Sequence, residues 1–144
     1  MMMMAHSVNY LSVLIAAVAA WLFGGVYYTA LGKYWMAAQG KTMEQCQAEY
    51  AGKSGAAKAA PFIVVFVGEL IMAWAMYGVL FHMGMFTPRA GAISGAALWF
   101  GFVLPTIAGN YVFSGKKPML TVIDSAAWLG AMVIIGAIVG WMGK

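Results

Sequence analysis

Two acidic side chains carry the chemistry that this sequence could support. Glu69 and Asp124 each lie inside a long apolar stretch, where the hydrocarbon of a membrane would surround the carboxyl group. Hydrocarbon cannot solvate an isolated charge, so each acid must be neutral, hydrogen-bonded, paired or part of a pathway. The two acids therefore predict either a polar contact between helices or a relay for protons or cations.

The composition indicates that membrane-spanning helices position these acids. The chain is 64% hydrophobic and 8% charged, whereas soluble domains carry about 25% charged residues. A span needs about 20 apolar residues. We predict an all-α, polytopic membrane protein, a four-transmembrane-helix bundle that forms a single domain over residues 1–144. The predicted spans are 9–31, 61–83, 90–113 and 119–141.

The basic residues predict the sidedness of the bundle. Six lysines lie in segments 32–60 and 114–118, against only Arg89 and Lys144 on the opposite side. Because cytoplasmic loops collect Lys and Arg, both termini are expected on the same, outer side. The net charge of +4 is thus a topology signal, and we expect no nucleic-acid partner. A cleavable signal peptide ending near residues 17–19 is the alternative reading of the first span, but no Lys or Arg precedes it.

The polar connector between the first two spans predicts a short helix of its own. Thr42 and Gln45 have the spacing of a capping box, and Gly52 suits the end of the helix. Apolar residues then recur at spacings of three and four, as in an amphipathic helix over about residues 43–51 on the inner membrane surface. It is either a plain surface connector or a docking segment for a partner.

The two halves of the chain resemble each other. Segment 27–33 aligns with segment 110–116, and each of these segments ends an odd-numbered predicted span. Each following span starts at a proline and carries its acid about two turns later. The pattern predicts two helical hairpins related by a pseudo-twofold axis along the membrane normal.

Helix geometry predicts that the polar side chains form one layer. Glu69 and Asp124 lie about 12 Å and about 9 Å from their predicted helix starts. Asn110, Tyr27 and Tyr28 fall in the same half of the membrane, so we expect all five side chains to converge. The layer is either a hydrogen-bonded clasp or a relay in which Glu69 is the central proton or cation carrier.

A ligand site on the second span has weak support. His82 with Gly78 one turn before it could hold a haem or a chlorophyll, and His82, Met83 and Met85 could bind Cu(I) through soft thioethers. A lone interfacial histidine is more typical of a solvated side chain, and thirteen methionines are typical of flexible packing. We therefore expect no cofactor and no metal.

Small residues predict close contacts between helices. The glycines of this kind are Gly24, Gly91, Gly95, Gly136 and Gly140, mostly in pairs four residues apart. Such spacing lets two helix backbones approach each other, within the chain or against another copy or partner. The sequence has no nucleophile with a base, no metal-ligand cluster and no phosphate loop, so we expect no enzyme.

Short motifs are spread over nearly the whole chain. They are Gly25, Tyr28, Gly32-Lys33 and Trp35-Met36, then Trp99, Gly101-Phe102, Asn110-Tyr111, Phe113, Gly115, Leu120, Asp124 and Gly136-Ala137-Ile138. In these motifs the sequence is similar to the small bacterial membrane proteins grouped as domain of unknown function 1761. The resemblance implies a four-helix, multi-pass protein of a prokaryotic inner (cytoplasmic) membrane, and it brings no activity, substrate or site. Glu69 and connector 32–60 do not match the family pattern.

These observations lead to one principal functional hypothesis and two alternatives. The principal hypothesis is a non-catalytic packing or accessory subunit of a homo- or hetero-oligomeric assembly in the lipid bilayer. The first alternative is a proton- or cation-coupled transporter, or a channel-like oligomer, that uses Glu69 and Asp124. The second is an accessory subunit of a haem or chlorophyll complex.

Overall fold

The computed structural model describes residues 7–144 and is helical, with no strand in that range. Four of its helices are long and apolar enough to cross a membrane, which confirms the predicted fold class. On which side the termini lie stays a prediction. The helices are α1 Tyr10–Ala38, α2 Met43–Ala51, α3 Gly55–Met83, α4 Pro88–Phe113 and α5 Pro118–Met142.

Two spanning helices extend beyond their predicted bounds. Helix α1 continues to Ala38 instead of ending at residue 31, and α3 begins at Gly55 instead of residue 61. The prediction ended each helix where the apolar run ends, but a helix can continue into polar surroundings when its ends are capped. Ser54 caps α3 by accepting a hydrogen bond from the Ala57 N–H at 3.2 Å. Pro61 therefore lies inside α3.

Helix α5 is the centre of the bundle. It contacts α1, α3 and α4. Half of the most apolar 18-residue stretch of α5 is buried, whereas 17–28% of the corresponding stretch is buried in the other spanning helices. The residues of the main core that are fully buried are alanines and branched aliphatic residues, and their close packing joins α1 and α3 to α5. They are Ala16, Ala20, Ala73, Leu80, Ile135 and Val139.

Four of the five predicted packing glycines form the contact between α4 and α5. A Cβ atom on Gly91 would collide with the carbonyl oxygen of Gly136, and one on Gly95 with that of Met132. A Cβ atom on Gly140 would likewise meet the Thr87 carbonyl. The two backbones touch, so any side chain at these positions would separate the helices.

Gly24 does not share this role. No described atom lies within 4 Å of where its Cβ would be. The close contact of α1 within the chain uses Ala16 and Ala20, which are fully buried, and it ends before Gly24. A contact of Gly24 with another copy or a partner stays a prediction.

A π-helical turn interrupts α4 at Trp99–Val103. The Leu104 N–H donates to the Trp99 carbonyl, five residues back. Pro105, which follows, has no N–H and its ring would clash with the carbonyl of Gly101 in a regular α-helix. The widened π turn accommodates Pro105 within the helix.

Candidate functional site around Asp124 and Glu69

The Asp124 carboxylate is held by three hydrogen-bond donors. Its Oδ1 accepts from the Tyr28 hydroxyl at 2.6 Å and from the Trp35 Nε1–H at 3.1 Å. Its Oδ2 accepts from the Tyr111 hydroxyl at 2.6 Å. The tyrosine bonds have the length of O–H···O⁻ bonds to an ionised acid, and Asp124 is only 8% exposed. We call these four side chains the Asp124 cluster.

Three helices position the Asp124 cluster. Tyr28 and Trp35 come from α1, Tyr111 from α4, and Asp124 from the second turn of α5. Tyr28 and Tyr111 occupy equivalent positions in the two similar segments, and each binds one carboxylate oxygen. Edge-to-face packing of the Tyr28 and Trp35 rings, 5.8 Å between centroids, fixes the two donors that share Oδ1. The acid thus ties α5 to both halves of the chain.

Two further aromatic side chains reinforce this attachment through the backbone of α5. The Tyr27 hydroxyl donates to the Ile123 carbonyl at 2.7 Å, and the Trp99 Nε1–H donates to the Ser125 carbonyl at 2.7 Å. Trp99 is the first residue of the π turn. The carbonyls on both sides of Asp124 therefore accept from aromatic donors on α1 and α4.

The Asp124 cluster contains no cation. Within residues 7–144 the one ion pair joins Lys41 to Glu49, at 2.8 Å and far along the chain from Asp124. Three donors leave a carboxylate, which has about four acceptor positions, room for at most one more hydrogen bond. The arrangement is suited to holding helices together and offers little space for binding a transported ion.

Glu69 lies apart from the Asp124 cluster. It is 2% exposed and is the first buried residue of α3. Its Oε2 has no hydrogen-bond partner in the described part of the chain. Because α3 starts at Gly55, Glu69 is the middle residue of a 29-residue helix and lies about 21 Å from its start. Asp124 lies about 9 Å from Pro118, so the similar distances from the helix starts, from which the single layer was predicted, are not found.

Asn110 also stays out of the Asp124 cluster. Its side chain is exposed and forms no hydrogen bond with residues 7–144. Successive side chains of a helix point about 100° apart. Tyr111 therefore faces α5, whereas its neighbour Asn110 points away from it. The alignment of Tyr111 with Tyr28 was the signal that could have identified it. Trp35 lies outside the aligned segment and beyond the predicted end of its helix, and the Trp35-Met36 motif was the signal that pointed to it.

The weak ligand candidates lie on the surface of the bundle. His82, Met83 and Met85 are all exposed, and the described residues contain no group of three metal-ligating His, Cys, Asp or Glu side chains. His82 lines an open cavity of about 690 Å³ together with Trp74 and Gly78. The Met83 sulfur accepts a long hydrogen bond from the Ser94 hydroxyl at 3.9 Å.

The connector has the predicted capping box but packs little. Thr42 and Gln45 bond to each other's backbone N–H groups, and α2 has no buried residue. The hydrogen bond and charge of Glu49 raise the pKa of Lys41, and those of Lys41 lower the pKa of Glu49. Lys58 lies 4.9 Å from the centre of the Tyr50 ring, which attaches the start of α3 to α2.

Fold and site together define a multi-pass helical membrane protein with a buried, hydrogen-bonded carboxylate in its central helix. The chain belongs to the family described as "Protein of unknown function (DUF1761)", whose sequence profile matches residues 11–140. The resemblance drawn from the motifs is thus confirmed. No curated protein and no solved structure matches the chain.

Proposed function

We propose that this protein is a non-catalytic subunit of a larger membrane assembly, with Asp124 as its internal structural anchor. The observation that carries the proposal is that both Asp124 oxygens accept hydrogen bonds, from side chains on two other helices. An acid so occupied stabilises one arrangement of helices, because each donor would be unsatisfied in any other.

The surface of the bundle supports a role in an assembly. Residues 55–68 of α3 include no buried residue, and Phe62, Ile63 and Val64 are 56%, 59% and 69% exposed. Asn110 presents an unpartnered amide on a helix long enough to span the membrane. Amide side chains in such positions promote association of membrane helices. We expect another copy or a different subunit of a prokaryotic inner membrane to cover this surface.

Substitution of Asp124 tests the anchor. Asp124→Leu leaves three donors without an acceptor, so we expect a lower unfolding temperature in detergent and loss of the native oligomer. Asp124→Asn keeps one acceptor oxygen but turns an amide N–H₂ toward donors, and its effect should lie between wild type and Leu. Glu44→Gln, at an exposed position of α2, is the control. An Asp124→Leu protein as stable as wild type would contradict the anchor, and a protein that extracts as a monomer without partners would contradict the assembly.

One observation favours a second function, transport of protons or cations through Glu69. Glu69 is buried at the middle of α3, and its Oε2 has no partner in residues 7–144. Intramembrane acids of this kind occur in proton pathways. Flux into liposomes that is present with wild type and abolished by Glu69→Gln, with the fold intact, would favour transport. If Glu69→Gln leaves flux and stability unchanged while Glu69→Leu lowers stability, the structural role is favoured.

A further inference from the structure

We propose that Glu69 is a proton-binding site inside the bundle. Its side chain is an uncharged carboxylic acid there, whereas the Asp124 side chain is a carboxylate. The inference goes beyond both functions proposed above, because an uncharged acid can anchor helices or carry a proton. It assigns different protonation states to the two intramembrane acids of this chain. The geometry around each acid gives the reason.

Glu69 lies on the same face of α3 as the buried apolar residues that follow it. Ala73, Met76 and Leu80 follow it at the spacing of one helix face, and each is at most 1% exposed. Seven residues before Glu69, Phe62 is still 56% exposed. The acid therefore occupies the point where α3 enters the core, and its side chain is covered by neighbouring helices.

No group on the neighbouring helices compensates a charge at Glu69. Helices α1, α4 and α5 pack against α3. Among the residues that the structure describes, none donates a hydrogen bond to Glu69 or pairs with it. The nearest charged or titratable residues along α3 itself are Lys58, Tyr77 and His82. Those of the three packed helices are Tyr10, Tyr27, Tyr28, Lys33 and Tyr34 of α1, Arg89 and Tyr111 of α4, and Asp124 of α5.

Physical chemistry then decides the state of Glu69. Burying an ionised carboxylate without a partner costs far more free energy than burying a neutral polar group. A bound proton removes the charge, so the folded protein holds Glu69 as an acid. A cation from outside would need oxygen ligands besides this one carboxyl group, and no second acid, amide or hydroxyl bonds to it in residues 7–144.

Asp124 has the opposite surroundings. Its three hydrogen-bond partners are all donors, and an ionised carboxylate is a pure acceptor. A proton would take the one acceptor position left free on Oδ2 and would weaken the bonds that the three donors make, because an uncharged acid is a poorer acceptor than a carboxylate. The Asp124 cluster is thus arranged for the charged form.

Infrared spectroscopy of the intact protein in liposomes tests both assignments. A carboxylic acid has a carbonyl stretch at higher frequency than any carboxylate band, so one uncharged acid gives one separate band. The chain has three glutamates and one aspartate, namely Glu44, Glu49, Glu69 and Asp124. We expect the acid band to shift when glutamate carboxyls carry carbon-13 and to stay when the aspartate carboxyl does.

Matched variants assign the band to one residue. Glu69→Gln, which is nearly the same size, should abolish the acid band, whereas Glu44→Gln, Glu49→Gln and Asp124→Asn should keep it. In deuterated water the band of the wild-type protein should shift to lower frequency, because a bound proton that exchanges with solvent is replaced by deuterium. Far-ultraviolet circular dichroism of each variant shows that the helices remain.

Three results would overturn the proposal. The first is a wild-type spectrum without an acid band near neutral pH, since Glu69 would then be ionised. The second is a band that follows the aspartate label or disappears in Asp124→Asn. The third is a band that does not move in deuterated water, because a proton that never exchanges is not reversibly bound.

Discussion

The donors of Asp124 differ in strength and in origin. The two tyrosine hydroxyls lie 2.6 Å from the carboxylate, whereas the Trp35 nitrogen lies 3.1 Å away. Short O–H···O⁻ bonds are stronger than N–H···O bonds at ordinary distance. Tyr111 is also the one side chain of α4 that binds this acid. Removing its hydroxyl should therefore mainly weaken the contact between α4 and α5.

Tyr111→Phe should lower the free energy of unfolding by about 1–2 kcal/mol, because one oxygen of a buried carboxylate loses its donor. Tyr28→Phe should have a similar effect. The double variant should cost a different amount from the sum of the two single changes, since both tyrosines bind the same acid. Reversible unfolding in mixed detergent micelles measures all three.

Tyr10→Phe is the matched control for these variants, because Tyr10 is in α1 but is 68% exposed. It should leave stability unchanged. If Tyr111→Phe were as stable as Tyr10→Phe, the Asp124 cluster would not stabilise the bundle.

The exposed pair Lys41 and Glu49 gives a pH-dependent prediction in the connector. Lys41 lowers the pKa of the Glu49 carboxyl, so Lys41→Met should raise that pKa back toward the ordinary glutamate value. The paired carboxylate stabilises the fold above the unfolded pKa, and this contribution is lost as the pH falls through the lower, folded pKa. Titration of carbon-13-labelled Glu49 by nuclear magnetic resonance measures the change, and an unchanged pKa in Lys41→Met would refute the pairing.

The contact between α4 and α5 depends on backbones that touch. Gly95→Ala places a methyl group against the Met132 carbonyl, so the two helices must separate. We expect a loss of about 1–3 kcal/mol in the free energy of unfolding, as for an overpacked core. Unfolding in mixed micelles, monitored by tryptophan fluorescence, measures it.

Gly109→Ala is the control on the same helix, because no described atom lies within 4 Å of a Cβ at that position. It should be neutral or slightly stabilising, since alanine favours the helix over glycine. Equal losses for Gly95→Ala and Gly109→Ala would mean that helix propensity, and not the α4–α5 contact, determines both.

The orientation of the whole molecule is testable with its single cysteine. Cys46 lies in α2 and is half-buried, and the lysine distribution predicts that α2 faces the cytoplasm. A membrane-impermeant maleimide should therefore label Cys46 in inside-out vesicles and leave it unlabelled in right-side-out vesicles. Cys46→Ser combined with Lys144→Cys should show the reverse pattern. Labelling of both positions from one side would contradict an even number of spans.

Much of the architecture follows from composition and pattern. Four apolar runs separated by lysine-rich segments predict four spanning helices, and the four-residue spacing of Gly91, Gly95, Gly136 and Gly140 predicts a close helix contact. The helix ends were less predictable. An apolar run shows only which part of a helix lipid can surround. The ends of α1 at Ala38 and of α3 at Gly55 are determined by hydrogen bonds at the caps.

The apolar runs and the acids within them were enough to predict a helical membrane protein in which two acids need compensation, because hydrocarbon solvates no charge. How each acid is compensated depends on the fold. Whether a tyrosine or its neighbouring asparagine faces an acid depends on the rotation and height of each helix, and these are set by packing across the whole bundle. That packing placed three donors around Asp124 and none at Glu69 within residues 7–144.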